Sequence, residues 1–434
     1  MKNNYIIKIT KKLANLQLAI FLLFIIGFII AIGTLIEQDQ ALNFYKENYS
    51  EINPLFGFLN WKIITFLSFD HIYTAWWFLV ILFLFAVSLL SCTFTTQLPS
   101  IKTFKIWRFF NSPKQFKTVS IKSSVELGCF NAFAYHCNSN NYHFFRQSKK
   151  GYAYSGLLGR VAPAVVHISI VLLLLGSTLG SLSGYTAQQF IPRGEITHIQ
   201  NLTKFGNLSS LTQDFSFRVN DFWITYTKDL KTDQFYSDLS LLTNDGKELK
   251  RKTIFVNEPL IFDNIVLYQT DWDIVGLKLK VGNGEIFQIP LKKITKDNRK
   301  FWFCSIPISS SFDKKISIII NDLNGQIFVY DSKGLLLKQT NLGSNLSFED
   351  SSPIQFLSFL TTTGLQIKSD PGIQTVYLSF LFLMLSVYIS FFTYSQIWLI
   401  ETPKKTTVGG NSNRAVLFFQ QEFRKIAKQV KRSI

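Results

Sequence analysis

Leu13–Ile36 reads LANLQLAIFLLFIIGFIIAIGTLI, without a single Asp, Glu, Lys or Arg. A hydrocarbon layer about 30 Å thick is crossed by roughly 20 apolar residues in a helix, so this stretch is long enough to span a bilayer. Three others share its character: Ile72–Ile101 with its core at Ala75–Cys92, Val161–Gln189 with its core at Val161–Ser183, and Pro371–Ile400 with its core from Val376. A helix on the surface of a soluble protein keeps a polar face, and none of the four has one. The fold class expected is a membrane protein with transmembrane helices at 13–36, 72–96, 161–183 and 372–400, plus a large translocated β-rich soluble domain at 184–371.

Charge orients this arrangement. An even number of crossings puts both termini on one side. The tail 1–12 has four Lys and no acid, the segment 97–160 has ten Lys/Arg against Glu126, and the tail 401–434 has eight Lys/Arg against two acids. The alternate segments are balanced or acidic: two Lys against five acids in 37–71, and 21 Lys/Arg against 20 acids in 190–370. Basic loops stay on the side of synthesis, which makes 97–160 cytoplasmic or stromal and 184–371 translocated. The formal net charge of +17 therefore reports topology, and no nucleic-acid partner is expected. Apolar content of 47% excludes a disordered chain, and four Cys in 434 residues exclude a disulfide scaffold. Cys92, Cys129, Cys137 and Cys304 fit no usual zinc spacing and read as inert thiols. The first apolar run is too long for the core of a cleaved signal and reads as a retained span.

The large domain alternates apolar and polar residues in short runs: Phe215–Thr227, Phe235–Leu242, Ile265–Thr270, Leu277–Val281, Lys300–Ile306, Ile316–Ile320 and Gln326–Tyr330. Turn signals at Asn244-Asp-Gly, Gly282-Asn-Gly and Asn324-Gly separate some of them. An antiparallel sandwich or open barrel-like sheet is expected, with no hydrolase, phosphate-loop or metalloprotease motif. The run Pro54–Phe69 is too short to cross and reads as an interfacial piece of the outer loop 37–71. In the last tail Val416, Phe419, Phe423, Ile426, Val430 and Ile434 recur at helical spacing among six Lys/Arg. That is a basic amphipathic helix suited to an anionic leaflet, or else a tail that packs against a partner or is loosely ordered.

Five histidines remain. His136, His143 and His198 read as surface or core residues. His167 lies inside the third span, where an ionisable side chain costs a few kcal/mol and is a functional hypothesis by default. Two readings stand, an axial ligand to haem iron and an interhelical hydrogen bond contributing about 0.6–2 kcal/mol. His71 precedes Tyr73-Thr-Ala-Trp-Trp at the outer end of the second span and reads as an interface histidine or a second cofactor contact. His167 enters from the inner side by about seven residues, roughly 10 Å. The two therefore lie in opposite halves of the layer and cannot share one iron.

The chain resembles ResB/CcsB-type proteins of system II cytochrome c biogenesis, in their plastid and cyanobacterial form, over nearly its whole length. The residues that carry the likeness are Ala31-Ile-Gly-Thr-Leu-Ile-Glu-Gln, Asp70-His-Ile-Tyr-Thr-Ala-Trp-Trp-Phe, Ser88-Leu-Leu-Ser-Cys-Thr-Phe, Gln97-Leu-Pro, Gly159-Arg-Val-Ala-Pro with His167, Asn257-Glu-Pro-Leu, Tyr268-Gln-Thr-Asp-Trp, Gly364-Leu-Gln-Ile-Lys, Asp370-Pro-Gly and Tyr394-Ser-Gln-Ile-Trp. The resemblance implies a complex with a CcsA/ResC-type haem-handling membrane protein. That complex moves haem b across the membrane and presents it for thioether attachment to apocytochromes c, with room for a thiol-disulfide oxidoreductase as a further partner. It implies His167 as the axial ligand to a transient haem shared with the partner, and a non-catalytic or co-catalytic role in the haem-attachment complex. It also implies residence in a plastid thylakoid membrane, or in a cyanobacterial thylakoid or inner membrane. Some relatives carry a His near the end of the fourth span where this chain has Tyr394, and no ligand is expected there. The alternative from another class is a membrane sensor or scaffold protein whose outer β domain binds a ligand. The 34-residue tail holds no recognisable output region for such a sensor. A transporter fits poorly, with four spans and no inverted repeat.

Overall fold

The computed structural model describes residues 2–52, 54–99, 108–125, 129–211, 215–228, 232–282, 284–296, 299–307, 315–347, 352–403 and 405–433. Glu126, counted above, lies outside them. The chain divides into two compact units, Met1–Leu179 with Gly372–Ile434, and Gly180–Pro371.

In the first unit, Lys2–Leu13 is a helix of its own. Asn15 then breaks the path and caps the first span, Leu16–Leu35, by accepting a bond from the Gln17 backbone N–H. The second span, Trp76–Cys92, follows a short turn at Ile72–Thr74 and runs on through a π-helical turn at Thr93–Gln97. The third is Ala162–Ser183 and the fourth Ile373–Ser390. Among the described residues these are the four helices long and apolar enough to cross a membrane. Leu22, Ile26, Ile29, Phe78, Phe85, Leu89 and Val171 bring the first three together. The third and fourth meet at Gly176, where a Cβ would stand 2.9 Å from Val376 Cγ2 and 3.1 Å from the Gly372 carbonyl. Small residues allow such close approach where lipid supplies no hydrophobic drive. Phe21, Phe24, Phe28, Phe83, Met384 and Tyr388 face outward.

The described residues of segment 37–71 form a cap of short helices, none long enough to span. Helices Leu42–Asn48 and Trp61–Phe66 bury Tyr45, Tyr49 and Ile64 against Ile36. The Tyr45 hydroxyl donates to the Glu37 carbonyl at 2.5 Å, and the Tyr49 hydroxyl donates to the Glu37 carboxylate. The Gln38 amide donates to the Phe69 carbonyl at 3.0 Å and accepts the Ile72 N–H at 3.0 Å, tying the end of the first span to the start of the second.

Two expectations are corrected in this unit. The fourth helix stops at Ser390, and Ser395–Glu401 is a strand, so the apolar run to Ile400 is part span and part soluble core. The basic helix, Val416–Arg432, does not lay its apolar stripe on a leaflet. Phe419, Phe423, Ile426 and Val430 are buried with Phe130, Phe133, Ile397, Leu399 and Val408. Loop and tail thus build one small domain. Its sheet runs Ile121–Val125, Thr406–Ser412, Ser395–Glu401, Lys150–Ser155, His143–Gln147, antiparallel throughout, and is covered by Phe130–Ser139 and Val416–Arg432. Gly410 admits the second helix, since a Cβ there would stand 2.5 Å from Phe419 Cζ.

The second unit is a β structure of three sheets, as the alternating runs predict. Its spine is the pair Ile265–Val281 and Ile354–Ser369, antiparallel along their length. One end of this ribbon packs with Phe215–Tyr226, Thr232–Thr243 and Glu248–Phe255 around Phe217, Val219, Leu239, Ile254, Leu267 and Ile367. The other end packs with the five-stranded sheet from Lys292–Lys296 to Leu336–Asn341 around Leu277, Leu279, Trp302, Ile318, Val329 and Phe356. Ile265–Thr270 and Leu277–Val281 are therefore one strand. Register shifts at Gln269/Asp271 and Ile274/Gly276 change which face points inward and break the alternation.

Two outcomes are expected. Phe423, 1% exposed in the small domain, should cost about 3–5 kcal/mol on truncation to Ala, read as faster proteolysis of the C-terminal tail at fixed protease. The Tyr49 hydroxyl holds the Glu37 carboxyl below its usual range. Burial, followed by that bond, pushes Tyr49 up to about 12. A depressed carboxyl contributes stability above its unfolded pKa of about 4.3 and loses it on acidification. Hydrogen-exchange protection of 42–66, taken relative to intrinsic exchange at each pH, should be flat near neutrality and fall as the pH drops below about 4, and Tyr49→Phe should abolish that step.

Candidate functional site

Pro163 stands in the first turn of the third span, where its missing N–H leaves no helical bond unmade. It starts the helix so that His167 falls in the second turn, about 8 Å from the helix start at 1.5 Å per residue. The imidazole is half-buried and meets the far end of the second span. Thr93, 2% exposed, places Oγ1 3.1 Å from His167 Nδ1 and donates its own hydroxyl to the Leu89 carbonyl at 2.8 Å. Gln97 Nε2 lies 3.2 Å from Nδ1 and 3.3 Å from Nε2 of the same ring. Gln97 Oε1 is buried without a hydrogen-bond partner. Thr93 and Gln97 are four residues apart on one helical face, in a π-helical turn, a distortion frequent at functional sites.

His71 is not brought to this place. It precedes the turn at Ile72–Thr74, half-exposed, with Nδ1 2.9 Å from Asp70 Oδ1. Trp76 and Thr93 are separated by 17 residues of helix, about 25 Å, so the two histidines sit at opposite ends of the second span. The other histidines have local roles. His136 Nε2 is 2.9 Å from Ser433 Oγ, His143 lies against the Tyr154 ring, and His198 Nδ1 is 3.3 Å from the Phe215 carbonyl. No group of three or more His, Cys, Asp or Glu among the described residues could hold a metal ion. None of the four Cys forms a disulfide. Burial pushes the Cys304 thiol up to about 11 and raises that of Cys137, which keeps both protonated and unreactive.

Thr93 and Gln97 escaped a reading of the sequence alone. Both stand in stretches that carry the family likeness, but their relation to His167 depends on how two spans rotate against each other. Tyr394 lies beyond the fourth helix, buried, 3.2 Å from the Tyr152 hydroxyl and under the Arg160 guanidinium at 4.6 Å, a packed core position. In the β unit Gln269 is also structural: its Oε1 accepts the Thr363 hydroxyl at 2.8 Å and its Nε2 donates to the Asp271 carbonyl at 2.8 Å. Trp272 packs on Trp302.

A profile of the ResB-like family matches residues 16–349 and 324–424. The chain belongs to the ResB-like family. It is 51% identical over 426 residues to the cytochrome c biogenesis protein Ccs1 of Emiliania huxleyi, covering 98% of this chain and 97% of that one. It is 43% identical over 419 residues to the Ccs1 protein of Pyropia yezoensis, and 40% identical over 422 residues to the cytochrome c biogenesis protein CcsB of Trichormus variabilis, covering 96% of this chain in each case. Within this ResB-like chain, a single His is the sole His, Asp, Glu, Lys or Arg inside the four spans.

Proposed function

We propose that this chain, a cytochrome c biogenesis protein of the system II type, holds haem in transit on His167. Haem b is cargo here, ligated on one side by this imidazole and on the other by a group from a CcsA/ResC-type partner, then passed to apocytochromes c. The observation that carries this reading is a half-buried imidazole inside a span, buttressed by two polar side chains and lacking any second histidine at its depth. Axial ligation of haem iron needs a neutral imidazole nitrogen. The donor set here suits that role, and the Gln97 side-chain oxygen, buried without a hydrogen-bond partner, leaves a polar group beside the imidazole unsatisfied without a ligand. Haem has two axial positions and this chain offers one ligand at that depth, which supports a partner-supplied second ligand. Named relatives in algal and cyanobacterial sources support a plastid thylakoid, or a cyanobacterial thylakoid or inner membrane, as its place. The β unit, without catalytic clusters among its described residues, suits a surface that receives the apocytochrome, alongside a thiol-disulfide oxidoreductase that keeps its thiols reduced.

The test is the visible spectrum of the full chain co-purified with its partner. A reduced six-coordinate haem band is expected, lost or strongly diminished in His167→Ala and regained with added imidazole. His71→Gln should retain it, because His71 lies at the other end of the helix. A band unchanged in His167→Ala refutes the ligand assignment, and a band lost only in His71→Gln moves the site to the outer end.

A further inference from the structure

A hydroxyl has one hydrogen to give. Thr93 commits its hydrogen to the Leu89 carbonyl at 2.8 Å, a bond that closes back along its own helix. Toward His167 Nδ1, 3.1 Å away, the same oxygen can act only as an acceptor. Nδ1 therefore carries the proton, and Nε2 carries the in-plane lone pair.

The position of Gln97 is equally constrained. Its Nε2 is nearly equidistant from both ring nitrogens, at 3.2 and 3.3 Å. Only Cε1 separates those nitrogens, so an equidistant atom in the ring plane would press into Cε1 well inside van der Waals contact. The amide nitrogen therefore lies over the ring face, an N–H···π contact. The amide steadies the ring plane without consuming the lone pair on Nε2.

We propose that Thr93 and Gln97 are positioning residues for His167. Thr93 holds the imidazole as the Nδ1–H tautomer so that Nε2 is the atom offered to iron, and Gln97 covers one face and fixes the ring's tilt. This rests on the assignment of His167 as the haem ligand. Partners of this kind on the second ring nitrogen set the tautomer and raise the basicity of metal-bound histidines, and their loss typically weakens metal binding 10–100-fold. The arrangement also accounts for the π-helical turn, which places both side chains on the imidazole at the end of an otherwise apolar helix.

The experiment has a haem-free arm and a haem-loaded arm. In the first, full-length protein labelled with ¹⁵N-histidine is examined by NMR in detergent, and the His167 signals are assigned by their absence in His167→Ala. Wild type and Thr93→Ser should show the Nδ1–H tautomer, whereas Thr93→Val, which keeps the volume and removes the acceptor, should show a tautomer mixture or the Nε2–H form. In the second arm, the complex with its partner should load haem roughly tenfold less well in Thr93→Val, with a midpoint potential shifted positive as the weaker ligand stabilises ferric iron less, and Thr93→Ser should restore both. Gln97→Leu should retain the tautomer while broadening the low-spin electron paramagnetic resonance signal of the ferric haem, reporting a spread of ring orientations. An Nδ1–H tautomer persisting in Thr93→Val overturns the role of Thr93, and an unbroadened signal in Gln97→Leu overturns that of Gln97. If His167→Ala leaves haem binding intact, the ligand assignment itself fails. The tautomer arm is read without haem, so the two failures are told apart.

Discussion

Hydrocarbon offers no partner for a backbone N–H or C=O, so a chain that crosses it must satisfy every such group within each crossing. That constraint governs the rest of this molecule. It makes the four long apolar stretches helices, and it confines irregular backbone to the segments between them. An even number of crossings returns the C-terminal tail to the side of the basic loop. Only for that reason can residues 121–155 and 395–433, far apart in sequence, share one sheet and one core. The helix 416–432 closes that core with Phe419 and Phe423, and its cations are the solvent-facing remainder of a helix that is buried along its other side.

The same constraint gives His167 its meaning. In water an imidazole of this kind would be unremarked, but between apolar helices each of its nitrogens needs a defined partner. Thr93 satisfies one, and the other stays available. The second span links two distinct histidine environments, the His71–Asp70 contact at one end and the Thr93–Gln97 contact with His167 at the other. His71 stands beside the cap in which Gln38 and Tyr45 tie segment 37–71 together. The β unit solves a different problem. Its two long strands serve two cores in succession, and the bulges that switch the inward face between them place Gln269 and Trp272 as structural contacts.

Much of this was legible in the residues. The spans, the β character of 184–371 and the singular position of His167 follow from runs of apolar side chains, period-two alternation and one polar residue in an apolar context. These are local signals, because a helix in lipid or a strand on a pleat is recognised by its own composition and period. The sidedness inferred from Lys and Arg counts has the same local origin. What the residues concealed was long-range. The apolar run to Ile400 changes from helix to strand at Ser390 because Ile397 and Leu399 find a core built by residues 130–153, which no window around residue 395 contains. The strand 354–369 carries buried threonines at 361–363 in place of simple alternation, and its pairing with 265–281 shows only once both are folded.

Sequence by itself determined that four apolar stretches are long enough to cross a membrane and which histidine lies in one of them, since the cost of burying charge is felt residue by residue. Only the tertiary structure decided which atoms meet that histidine. Thr93 and Gln97 are 70 or more residues away along the chain, and their distances to the ring depend on the relative rotation of two helices, a quantity set by the packing of Leu22, Ile26, Phe85, Leu89 and Val171. The tautomer of His167 follows from that packing and from the single hydrogen of the Thr93 hydroxyl.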